Sequence, residues 1–441
     1  MKSAYNIFLE RGFVEQVTDE ALIHDLLSND HITCYAGFDP TAKSLHIGSL
    51  VPIMALAHMQ RQGHRPIVLV GGGTGLIGDP SGKSEMRQIL KSDQIIHNTQ
   101  CLQKQLSGYI DFSEYKAILL NNADWLSNLK YIDFLRDIGR HFSVNRMLTA
   151  ESYRARLEKG LNFIEFNYML LQAYDFLYLS RHYDCVLQIG GNDQWGNMLA
   201  GVELIRRAEG KTAHCMTFPL LTTSMGHKMG KTEKGAVWLD QHLTSPYDYY
   251  QYWINSEDDD VERFLALFTF LPMEEVRQTR TLAGFQLNMA KAVLAFEATK
   301  ITHKEDAAVA AWKDSSEKFK TRSVDPELFP SSKIPRNITG NSSTPLPMST
   351  LHATGYTSTI PSLEKTRKDL EAGITAFELF YESGLCSSKG EARRVISQGG
   401  GYVNDRQIVS FDEKIGLNHI NDRDEIYLRK GKKRYFIITV L

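Results

Sequence analysis

Cysteine is scarce in this sequence of 441 residues. The five cysteines are Cys34, Cys101, Cys185, Cys215 and Cys386, and no two of them form a CxxC pair. Because their number is odd and their spacing is wide, they indicate neither a disulfide framework nor a structural zinc site. This usage is typical of a reducing compartment, so we expect a cytoplasmic protein without a structural metal.

Long apolar runs and an excess of one charge are also missing. No stretch approaches the roughly 18 apolar residues that span a bilayer, and residues 1–20 contain no apolar run of signal-peptide length. The net charge of −2 argues against a wholly basic nucleic-acid coat, although a local basic patch is compatible with it. With 42% hydrophobic and 23% charged residues, the chain has an ordinary globular composition and a length suited to two or three domains.

Two short apolar runs rich in β-branched residues indicate a parallel sheet. Residues 66–70 lead into the glycines that begin at Gly71, and residues 185–189 lead into Gly190. Strands that end in glycine-rich turns before helices are typical of βαβ units, in which ligands bind beyond the carboxyl ends of the strands. We therefore predict an α/β fold with a Rossmann-like parallel sheet.

From residue 245 onward the apolar pattern becomes helical. The helices predicted there span residues 247–256, 261–270, 273–281 and 287–302. Residues 131–158 are also rich in helix formers, whereas residues 322–361 turn to Ser, Thr and Pro, which indicates a linker. Residues 362–441 regain a globular composition and are long enough for a small separate module.

Two distant motifs point to a nucleotide site. Residues 37–41 read Gly-Phe-Asp-Pro-Thr and residues 45–48 read Leu-His-Ile-Gly, while residues 228–232 read Lys-Met-Gly-Lys-Thr. The first pair supplies backbone and an imidazole before a helix, and the second supplies two ammonium groups and a hydroxyl. Such groups are most effective where charge develops on a departing phosphate. The combination predicts a site that releases pyrophosphate.

A glycine-rich run over residues 71–84 suggests two other nucleotide motifs. Residues 73–78 match GxGxxG after a predicted strand, but residues 79–82 interrupt the helix that should follow, and no strand ending in an acid lies about 20 residues further on. Residues 82–84 resemble the end of a phosphate-binding loop, but Ile77 stands where that motif needs its first glycine. A tight surface turn explains the glycines equally well.

Five ordered blocks, together with the loop over residues 228–232, resemble the bacterial tyrosyl-tRNA synthetases, a group of the class I aminoacyl-tRNA synthetases. The blocks are residues 35–41, 74–81, 136–145, 171–176 and 188–197. The resemblance implies a tyrosine–tRNA ligase that activates L-tyrosine with ATP and Mg²⁺, releases pyrophosphate, and transfers the tyrosyl group to the 3′ end of tRNA(Tyr). It also implies a homodimer in which one tRNA bridges both subunits.

The same resemblance divides the chain into four parts. These are a class I catalytic domain over residues 1–240 that ends with the lysine loop, a helical domain over 241–321, a linker over 322–361, and a small α+β S4-like tRNA-binding domain over 362–441.

The implied tyrosine site combines residues from several blocks. Its members are Tyr35 and Asp175 at the ligand hydroxyl, Asp79, Tyr168 and Gln172 at its ammonium group, and Gln194 near its carboxyl group. Independently of the family, Tyr168, Gln172 and Asp175 have the spacing of one helix face. A carboxylate at Asp175, among large apolar residues, would be buried and would need a partner. The ordinary alternatives are a core aromatic at Tyr35 and a polar helix face that meets water.

The implied nucleotide site departs from the family at one position. The residues implied for ATP are Gly37, Asp39, His46, Gly48, Ser49, Gly191, Asp193 and Lys231. Those implied for the chemistry are Thr41, His46, Lys83, Arg87, Lys228, Lys231 and Thr232. Ser49 replaces a second histidine that supports the ribose side in close relatives, and its hydroxyl can still donate a hydrogen bond at shorter reach. We therefore predict a modest effect on ATP handling. Lys83 and Arg87 could instead belong to a solvated loop.

Residues 374–408 resemble an S4 RNA-binding domain. The RNA-binding residues predicted here are Lys389, Arg393, Arg394, Lys432 and Lys433. The first three would form the basic edge of a helix, and basic charge beside the aromatic Tyr435 fits salt-sensitive binding to RNA phosphates. A solvated hairpin tip is the ordinary explanation of residues 430–434.

Two other functions remain open. A splicing or regulatory RNA-binding protein could keep the synthetase scaffold without catalysis, but it has no use for a combination such as His46, Lys228 and Lys231. A tryptophan-specific relative has no phenol for Asp175 to accept from, and it is not expected to carry the S4-like tail.

Overall fold

The computed structural model describes most of the chain. The described residues are 2–79, 81, 90–149, 153–154, 160–224, 226, 229, 231–232, 235–319, 324–336, 360–421, 424–431 and 434–441, with side chains described for all of them except 231–232 and 317–319. The chain divides into two compact units. The first consists of Met1–Thr244, Trp253–Thr302 and Val324–Ile334, and the second of Ser245–Tyr252, His303–Ser323 and Pro335–Leu441.

Helices make up most of the described secondary structure. From the amino terminus they are α1 (Ala4–Arg11), α2 (Glu20–Asn29), α3 (Leu50–Arg61), α4 (Ser92–Leu106), α5 (Ala123–Leu126), α6 (Tyr131–Asp137), α7 (Val144–Met147), α8 (Phe163–Tyr183), α9 (Trp195–Glu209), α10 (Pro246–Ile254), α11 (Val261–Phe268), α12 (Met273–Arg277), α13 (Phe285–Phe319), α14 (Arg367–Glu371), α15 (Ala376–Glu382) and α16 (Lys389–Ser397). Short 3₁₀ turns include Ile47–Ser49, Thr74–Leu76 and Asn192–Gln194, all of which border the candidate site.

The strands form one sheet in the first unit and another in the second, with two short pairs beside them. They are β1 (Gln16–Val17), β2 (Thr33–Phe38), β3 (Arg65–Val70), β4 (Ile118–Asn121), β5 (Cys185–Gly191), β6 (His214–Phe218), β7 (Lys231–Thr232), β8 (Gly235–Ala236), β9 (Ser362–Lys365), β10 (Ile374–Thr375), β11 (Gly401–Val403), β12 (Arg406–Gln407), β13 (Lys414–Ile415), β14 (Glu425–Lys430) and β15 (Arg434–Val440). The short pairs are β7 with β8 and β10 with β13.

The sheet of the first unit has the order β1-β6-β5-β2-β3-β4. All neighbours are parallel except β1, which runs antiparallel to β6 at one edge. After β2 the chain builds β3 and β4 on one side, and it later adds β5 and β6 on the other. The carboxyl ends of β2 and β5 therefore mark the switch point at which open α/β sheets bind ligands. The prediction of a Rossmann-like parallel sheet is confirmed.

Helix α8 forms much of the core behind this sheet. Asn162 and Glu165 form a capping box at its first turn, which satisfies free amide groups there. Its buried residues Ala173, Phe176 and Leu177 pack in one cluster with Tyr35. This packing fixes the rotation of α8, and the polar residues on the neighbouring face of the helix are directed to the ends of β2 and β5.

The second unit contains a small α+β module. Its five-stranded sheet has the order β12-β11-β14-β15-β9, with β9 parallel to β15 and the other pairs antiparallel. Helices α15 and α16 contribute Phe380 and Ile396 to a core that also contains Leu428 and Ile438. The small α+β fold predicted for this end of the chain is confirmed.

Two helical predictions differ from the structure. Within residues 131–158, the described part contains the short helices α6 and α7, separated by the 3₁₀ turn Gly139–His141, and helical residues at 153–154, because glycine disfavours a continuous helix. The helix expected to end at residue 302 continues as α13, with a break at Lys304 where φ is 75°. None of the described helices is both long and apolar enough to cross a bilayer. The predicted domain boundaries stay predictions.

Candidate active site

A cavity of about 400 Å³ opens at the carboxyl ends of β2 and β5. It is lined by many of the residues that the sequence motifs selected. These are Tyr35, Gly37, Asp39, Thr41, His46, Gly48, Ser49, Asp79, Tyr168, Gln172, Asp175, Gly191, Asp193 and Gln194. The structure thus brings together side chains from β2, α3, α8 and β5 and from the turns that follow these strands. Their roles toward a ligand remain predictions.

Tyr35 and Asp175 are both buried in the wall of this cavity. Their exposed fractions are 1% and 3%. Among the described residues, the Tyr35 hydroxyl has no hydrogen-bond partner. Burial raises the pKa of Asp175 to about 7, and the nearby charge of Asp39 adds to this rise. The site therefore holds a buried acceptor together with a hydroxyl whose bonding capacity is unused.

Asn122 and Trp125 hold the Asp175 carboxylate, and neither residue was predicted from the sequence. The Asn122 amide donates to Oδ2 at 2.8 Å, and the Trp125 indole donates to Oδ1 at 2.7 Å. These two bonds act against the rise in the Asp175 pKa, because they stabilise the ionised form. The position of Asn122, just after β4, was the only available signal, since ligand groups gather at the carboxyl ends of parallel strands.

A second polar group surrounds Asp79. Gln194 donates to Asp79 Oδ2 at 2.7 Å, and the backbone amide of Ser81 donates to Oδ1 at 2.9 Å. The Asn197 amide nitrogen lies 3.1 Å from Gln172 Oε1 and 3.2 Å from Gln194 Oε1. No role for Asn197 was predicted from the sequence. The group presents carboxylate and amide oxygens, which are suitable acceptors for an ammonium ion.

Asp39 connects the end of β2 to helix α8. The Tyr168 hydroxyl donates to Asp39 Oδ2 at 2.9 Å, and the Thr74 hydroxyl donates to Oδ1 at 2.9 Å. Asp39 is half-buried at the cavity wall, whereas Asp193 is exposed at the end of β5. A side chain at Gly37 would meet no atom within 4 Å, so this glycine leaves open space beside Asp39.

The first nucleotide motif lies at the start of α3. His46 Nδ1 accepts a hydrogen bond from the Gly48 backbone amide at 3.0 Å, and a Cβ at Gly48 would lie 2.7 Å from the imidazole ring. A larger residue at this position would displace the His46 ring, so glycine permits the close contact with His46. Thr41 and His46 are exposed to solvent, and Ser49 is half-buried.

The segment that follows the second motif pairs with the first. The Ile47 amide donates to the Val237 carbonyl, and the Leu239 amide donates to the Leu45 carbonyl. The Trp238 ring also contacts the His46 ring edge-on, with centroids 6.3 Å apart. Residues 237–239, which follow the lysine loop in sequence, are thus hydrogen-bonded to the histidine motif at residues 45–47.

Several predicted residues cannot be placed in this cavity. Lys83, Arg87 and Lys228 lie outside the described residues, as do Lys432 and Lys433 of the predicted RNA site. Lys231 and Thr232 form β7, which pairs with β8, and only their backbone is described.

A basic helix edge in the second unit contains the other predicted RNA-binding residues. Ser388 caps α16, and Lys389, Arg393 and Arg394 are all exposed. The Arg393 guanidinium lies 4.0 Å from the centre of the Phe377 ring. Lys389 contacts Glu378, whereas Arg394 has no ion-pair partner among the described residues. The helix therefore presents basic groups beside an aromatic ring.

The first unit is an open α/β sheet with a polar cavity at its switch point, and the second contains an α+β module with a basic helix edge. This combination is compatible with an enzyme that binds a nucleotide and acts on RNA. The family model described as "tRNA synthetases class I (W and Y)" matches residues 27–320. The model described as "Tyrosine--tRNA ligase SYY-like C-terminal domain" matches residues 354–438. The chain belongs to the class I tRNA synthetases of the W and Y family, and such a synthetase uses ATP as a substrate.

Similar proteins extend over the whole chain. The tyrosine–tRNA ligase of Syntrophus aciditrophicus is 62% identical over 440 residues, covering 100% of this chain and 99% of that protein. The tyrosine–tRNA ligase of Clostridium botulinum (strain Hall) is 49% identical over 440 residues and 100% of both chains. Among solved structures, a truncated mitochondrial tyrosyl-tRNA synthetase of Aspergillus nidulans is 30% identical, with a TM-score of 0.65 over 72% of this chain and 94% of that one. The family and the predicted enzyme class are confirmed, and a non-catalytic RNA-binding function is not favoured.

Proposed function

We propose that this protein activates L-tyrosine with ATP to form tyrosyl-adenylate and pyrophosphate, and then transfers the tyrosyl group to the 3′ end of tRNA(Tyr). The observation that carries the choice of amino acid is the buried pair in the cavity wall. The Tyr35 hydroxyl has no partner among the described residues, and the Asp175 carboxylate lines the same cavity. A ligand phenol can donate to Asp175 and accept from Tyr35. Phenylalanine would leave the Tyr35 hydroxyl without a partner and would offer no donor to Asp175, which is the physical basis for rejecting it.

The amino-acid end of the ligand is assigned to the group around Asp79. Asp79, Tyr168 and Gln172 would accept from its ammonium group, and Gln194 would lie near its carboxyl group. The Asp79 carboxylate is 7% exposed and already accepts from Gln194 and Ser81, so it is held in one orientation. This arrangement fixes the ligand at both ends and directs its carboxylate toward the open side of the cavity.

Activation itself is a displacement at the α-phosphate of ATP. One carboxylate oxygen of tyrosine forms a bond to that phosphorus as the bond to pyrophosphate breaks, so no protein nucleophile is needed. The protein contributes positioning and stabilisation of charge. Thr41 and His46 at the cavity mouth are assigned to the departing pyrophosphate, together with Lys83, Arg87, Lys228, Lys231 and Thr232.

The nucleotide is assigned to the surface between β2 and β5. Gly37 and Gly191 would let its atoms approach the backbone, Asp39 and Asp193 would make polar contacts around the amino acid and ribose, and Gly48 and Ser49 would lie near ATP at the start of α3. Magnesium is proposed to enter with the ATP phosphates, because this ion is commonly held by substrate phosphates and water.

The tRNA is assigned to the basic edge of α16, with Lys432 and Lys433 as further candidates.

A homodimer is also proposed, because exposed apolar side chains are concentrated between residues 131 and 163. They are Tyr131, Ile132, Leu135, Val144 and Phe163. A contiguous apolar patch formed by such side chains is typical of an interface between protein chains. Sedimentation of the full chain would reveal either two copies per particle, as expected, or one. A cytoplasmic location is proposed because all five cysteines are free thiols.

Exchange of labelled pyrophosphate into ATP tests the central proposal. We expect exchange with tyrosine and none with tryptophan or without an amino acid. Exchange that depends on tryptophan would reassign the pocket, and absence of tyrosine-dependent exchange would remove the proposed activity. Charging of a tRNA pool with labelled tyrosine then tests the transfer step.

A further inference from the structure

The glycine run before the 3₁₀ turn Thr74–Leu76 has a structural role that neither nucleotide motif explains. Its backbone and Thr74 lie against Asn121 and Asn122, which follow β4. The Gly72 amide donates to Asn121 Oδ1 at 3.2 Å, and the Gly73 amide donates to Asn122 Oδ1 at 2.8 Å. The run therefore fixes the orientation of two asparagine side chains and leaves Thr74 next to them.

A chain of hydrogen bonds crosses the wall of the cavity through Thr74. Because Asn122 Oδ1 accepts from Gly73, its NH₂ group faces the other way and donates to Asp175 Oδ2 at 2.8 Å and to Thr74 Oγ1 at 3.0 Å. The Thr74 hydroxyl donates to Asp39 Oδ1 at 2.9 Å. The Tyr168 hydroxyl donates to the other oxygen of Asp39. Thr74 Oγ1 accepts from the Asn122 amide and donates to Asp39, and the two carboxylates only accept, so the direction of the chain is fixed.

Close packing holds this chain in place. A Cβ at Gly71 would lie 2.1 Å from Asp39 Oδ1 and 2.5 Å from Thr74 Oγ1. Both distances are far shorter than a real contact, so only glycine leaves room for the bond between Asp39 and Thr74. Thr74 is 3% exposed and Asn122 is 1% exposed, which keeps competing water away from them.

We propose that Thr74 and Asn122 are positioning residues that couple Asp175, at the phenol end of the amino-acid site, to Asp39, at its nucleotide end. A phenol that donates to Asp175 shares this carboxylate with the Asn122 amide, and Thr74 transmits the effect to Asp39, which it holds in the orientation that the second substrate needs. The two carboxylates interact electrostatically, and the hydrogens of Asn122 and Thr74 lie between them. This inference rests on the proposed tyrosine activity and adds residues that select the substrate without touching it.

The test uses the ratio of kcat/KM for tyrosine to kcat/KM for phenylalanine in pyrophosphate exchange by the full chain. Thr74→Val keeps the shape of the side chain and removes the hydroxyl, and it should lower this ratio about tenfold or more, the scale of a hydrogen bond to a charged group. Thr74→Ser keeps the hydroxyl, so it should have the same ratio as the unmodified chain. Thr99→Val is the matched control, because Thr99 is also buried and its hydroxyl has no partner among the described residues. It should leave the ratio unchanged.

A second variant tests the coupling from the far end. Tyr168→Phe removes the donor to Asp39, and through the chain it should lower the tyrosine-to-phenylalanine ratio. In the Thr74→Val background, Tyr168→Phe should reduce kcat/KM for both amino acids equally and leave their ratio unchanged. Two results would overturn the coupling. One is an unchanged ratio in Thr74→Val, and the other is an equal decrease of the ratio by Tyr168→Phe in the unmodified and the Thr74→Val backgrounds.

The outcomes separate this inference from the proposed function. If the unmodified chain shows no tyrosine-dependent exchange, the proposed function fails before any variant is compared. If the unmodified chain is active and Thr74→Val has the same tyrosine-to-phenylalanine ratio of kcat/KM as the unmodified chain, only the coupling fails. Should Thr74→Val not fold, Tyr168→Phe alone decides, because an unchanged ratio in that variant contradicts the coupling.

Discussion

The indole nitrogen of Trp125 donates to Oδ1 of Asp175 at 2.7 Å, and the Trp125 ring is stacked on Tyr178 with centroids 4.2 Å apart. Tyr178 is stacked in turn on His182, at 4.0 Å. The donor is therefore held from behind by two further rings. Since the indole can only donate, its bond requires an oxygen of Asp175 that acts as an acceptor.

Trp125→Phe should keep a stacked ring and remove this donor. Because a hydrogen bond to a charged group contributes about 1.5–3 kcal/mol, we expect KM for tyrosine in pyrophosphate exchange to rise roughly tenfold to a hundredfold. KM for phenylalanine should change little. Tyr178→Phe is the control, since it keeps the ring that supports Trp125. Equal effects on both amino acids would show that Trp125 supports the pocket only by its bulk.

The protonation of Asp175 predicts a pH dependence of tyrosine binding. Burial raises the pKa of this carboxyl to about 7 in the unliganded protein. The phenol needs the ionised form as its acceptor, so affinity should fall by nearly tenfold for each pH unit below that pKa. Equilibrium dialysis with tyrosine between pH 5.5 and 8.5 measures this. A flat profile would mean that Asp175 is already ionised throughout this range.

The same shift predicts the sign of a stability effect. A carboxyl whose folded pKa lies above its unfolded value holds its proton longer in the folded state. Its stabilising contribution is therefore complete below about pH 4 and is lost as pH rises to about 7, with a slope of up to about 1.4 kcal/mol per pH unit. Asp175→Asn cannot titrate, so the free energy of unfolding of the unmodified chain minus that of the variant should decrease with this slope between about pH 4 and pH 7.

The burial of Asp175 could be predicted from sequence, whereas its partners could not. A carboxylate within a large apolar helix must be buried and must be hydrogen-bonded, which its neighbours in α8 already indicate. Its donors Asn122 and Trp125 are 53 and 50 residues away in sequence. No local pattern connects these donors to Asp175. They come close to it only because the end of β4 and helix α8 pack in the same core cluster.

The fold was predictable where local pattern and tertiary structure agree. The apolar run at residues 66–70 became β3, and the run at 185–189 became β5. β4, at the edge of the sheet, and β6 were not predicted, since short strands depend on their neighbours in the sheet for burial. Residues 131–158 contain helix formers but form short helices in the described part, because Gly139 and the packing of Phe134 and Ile138 override propensity.

Ser49→His tests the departure in the histidine motif. Ser49 lines the cavity, and its hydroxyl makes no cap bond to α3, so a longer side chain could extend toward bound nucleotide. We expect the rate of adenylate formation to change by less than about 100-fold, which is the scale of losing a whole transition-state donor. Pre-steady-state adenylation at varied ATP measures this, with Ser49→Ala as control. A larger gain would show that the chain lacks an essential contact at this position.

Replacement of Arg11 should lower the stability of the fold and leave the activity of the folded protein unchanged. Its buried guanidinium donates to the carbonyls of Ala266, Thr269 and Leu271 at the end of α11, and burial lowers its pKa to about 10. Arg11→Leu would leave these carbonyls without their donor, so we expect the free energy of unfolding to fall by about 3–5 kcal/mol. Arg206→Ala, at an exposed ion pair, should change it little. Denaturant unfolding measures both, and an unchanged midpoint in Arg11→Leu would contradict the prediction.

Arg394 should contribute to RNA binding independently of the chemistry in the cavity. It is exposed on α16 without an ion-pair partner among the described residues, so its charge is available to a phosphate. Arg394→Ala should weaken tRNA binding and reduce the slope of log K against log salt by about 1, with pyrophosphate exchange unchanged. Arg406→Ala is the matched control, because the Arg406 charge is paired with Glu413. If both variants reduce the slope equally, tRNA senses the overall charge of this module and does not contact Arg394 directly.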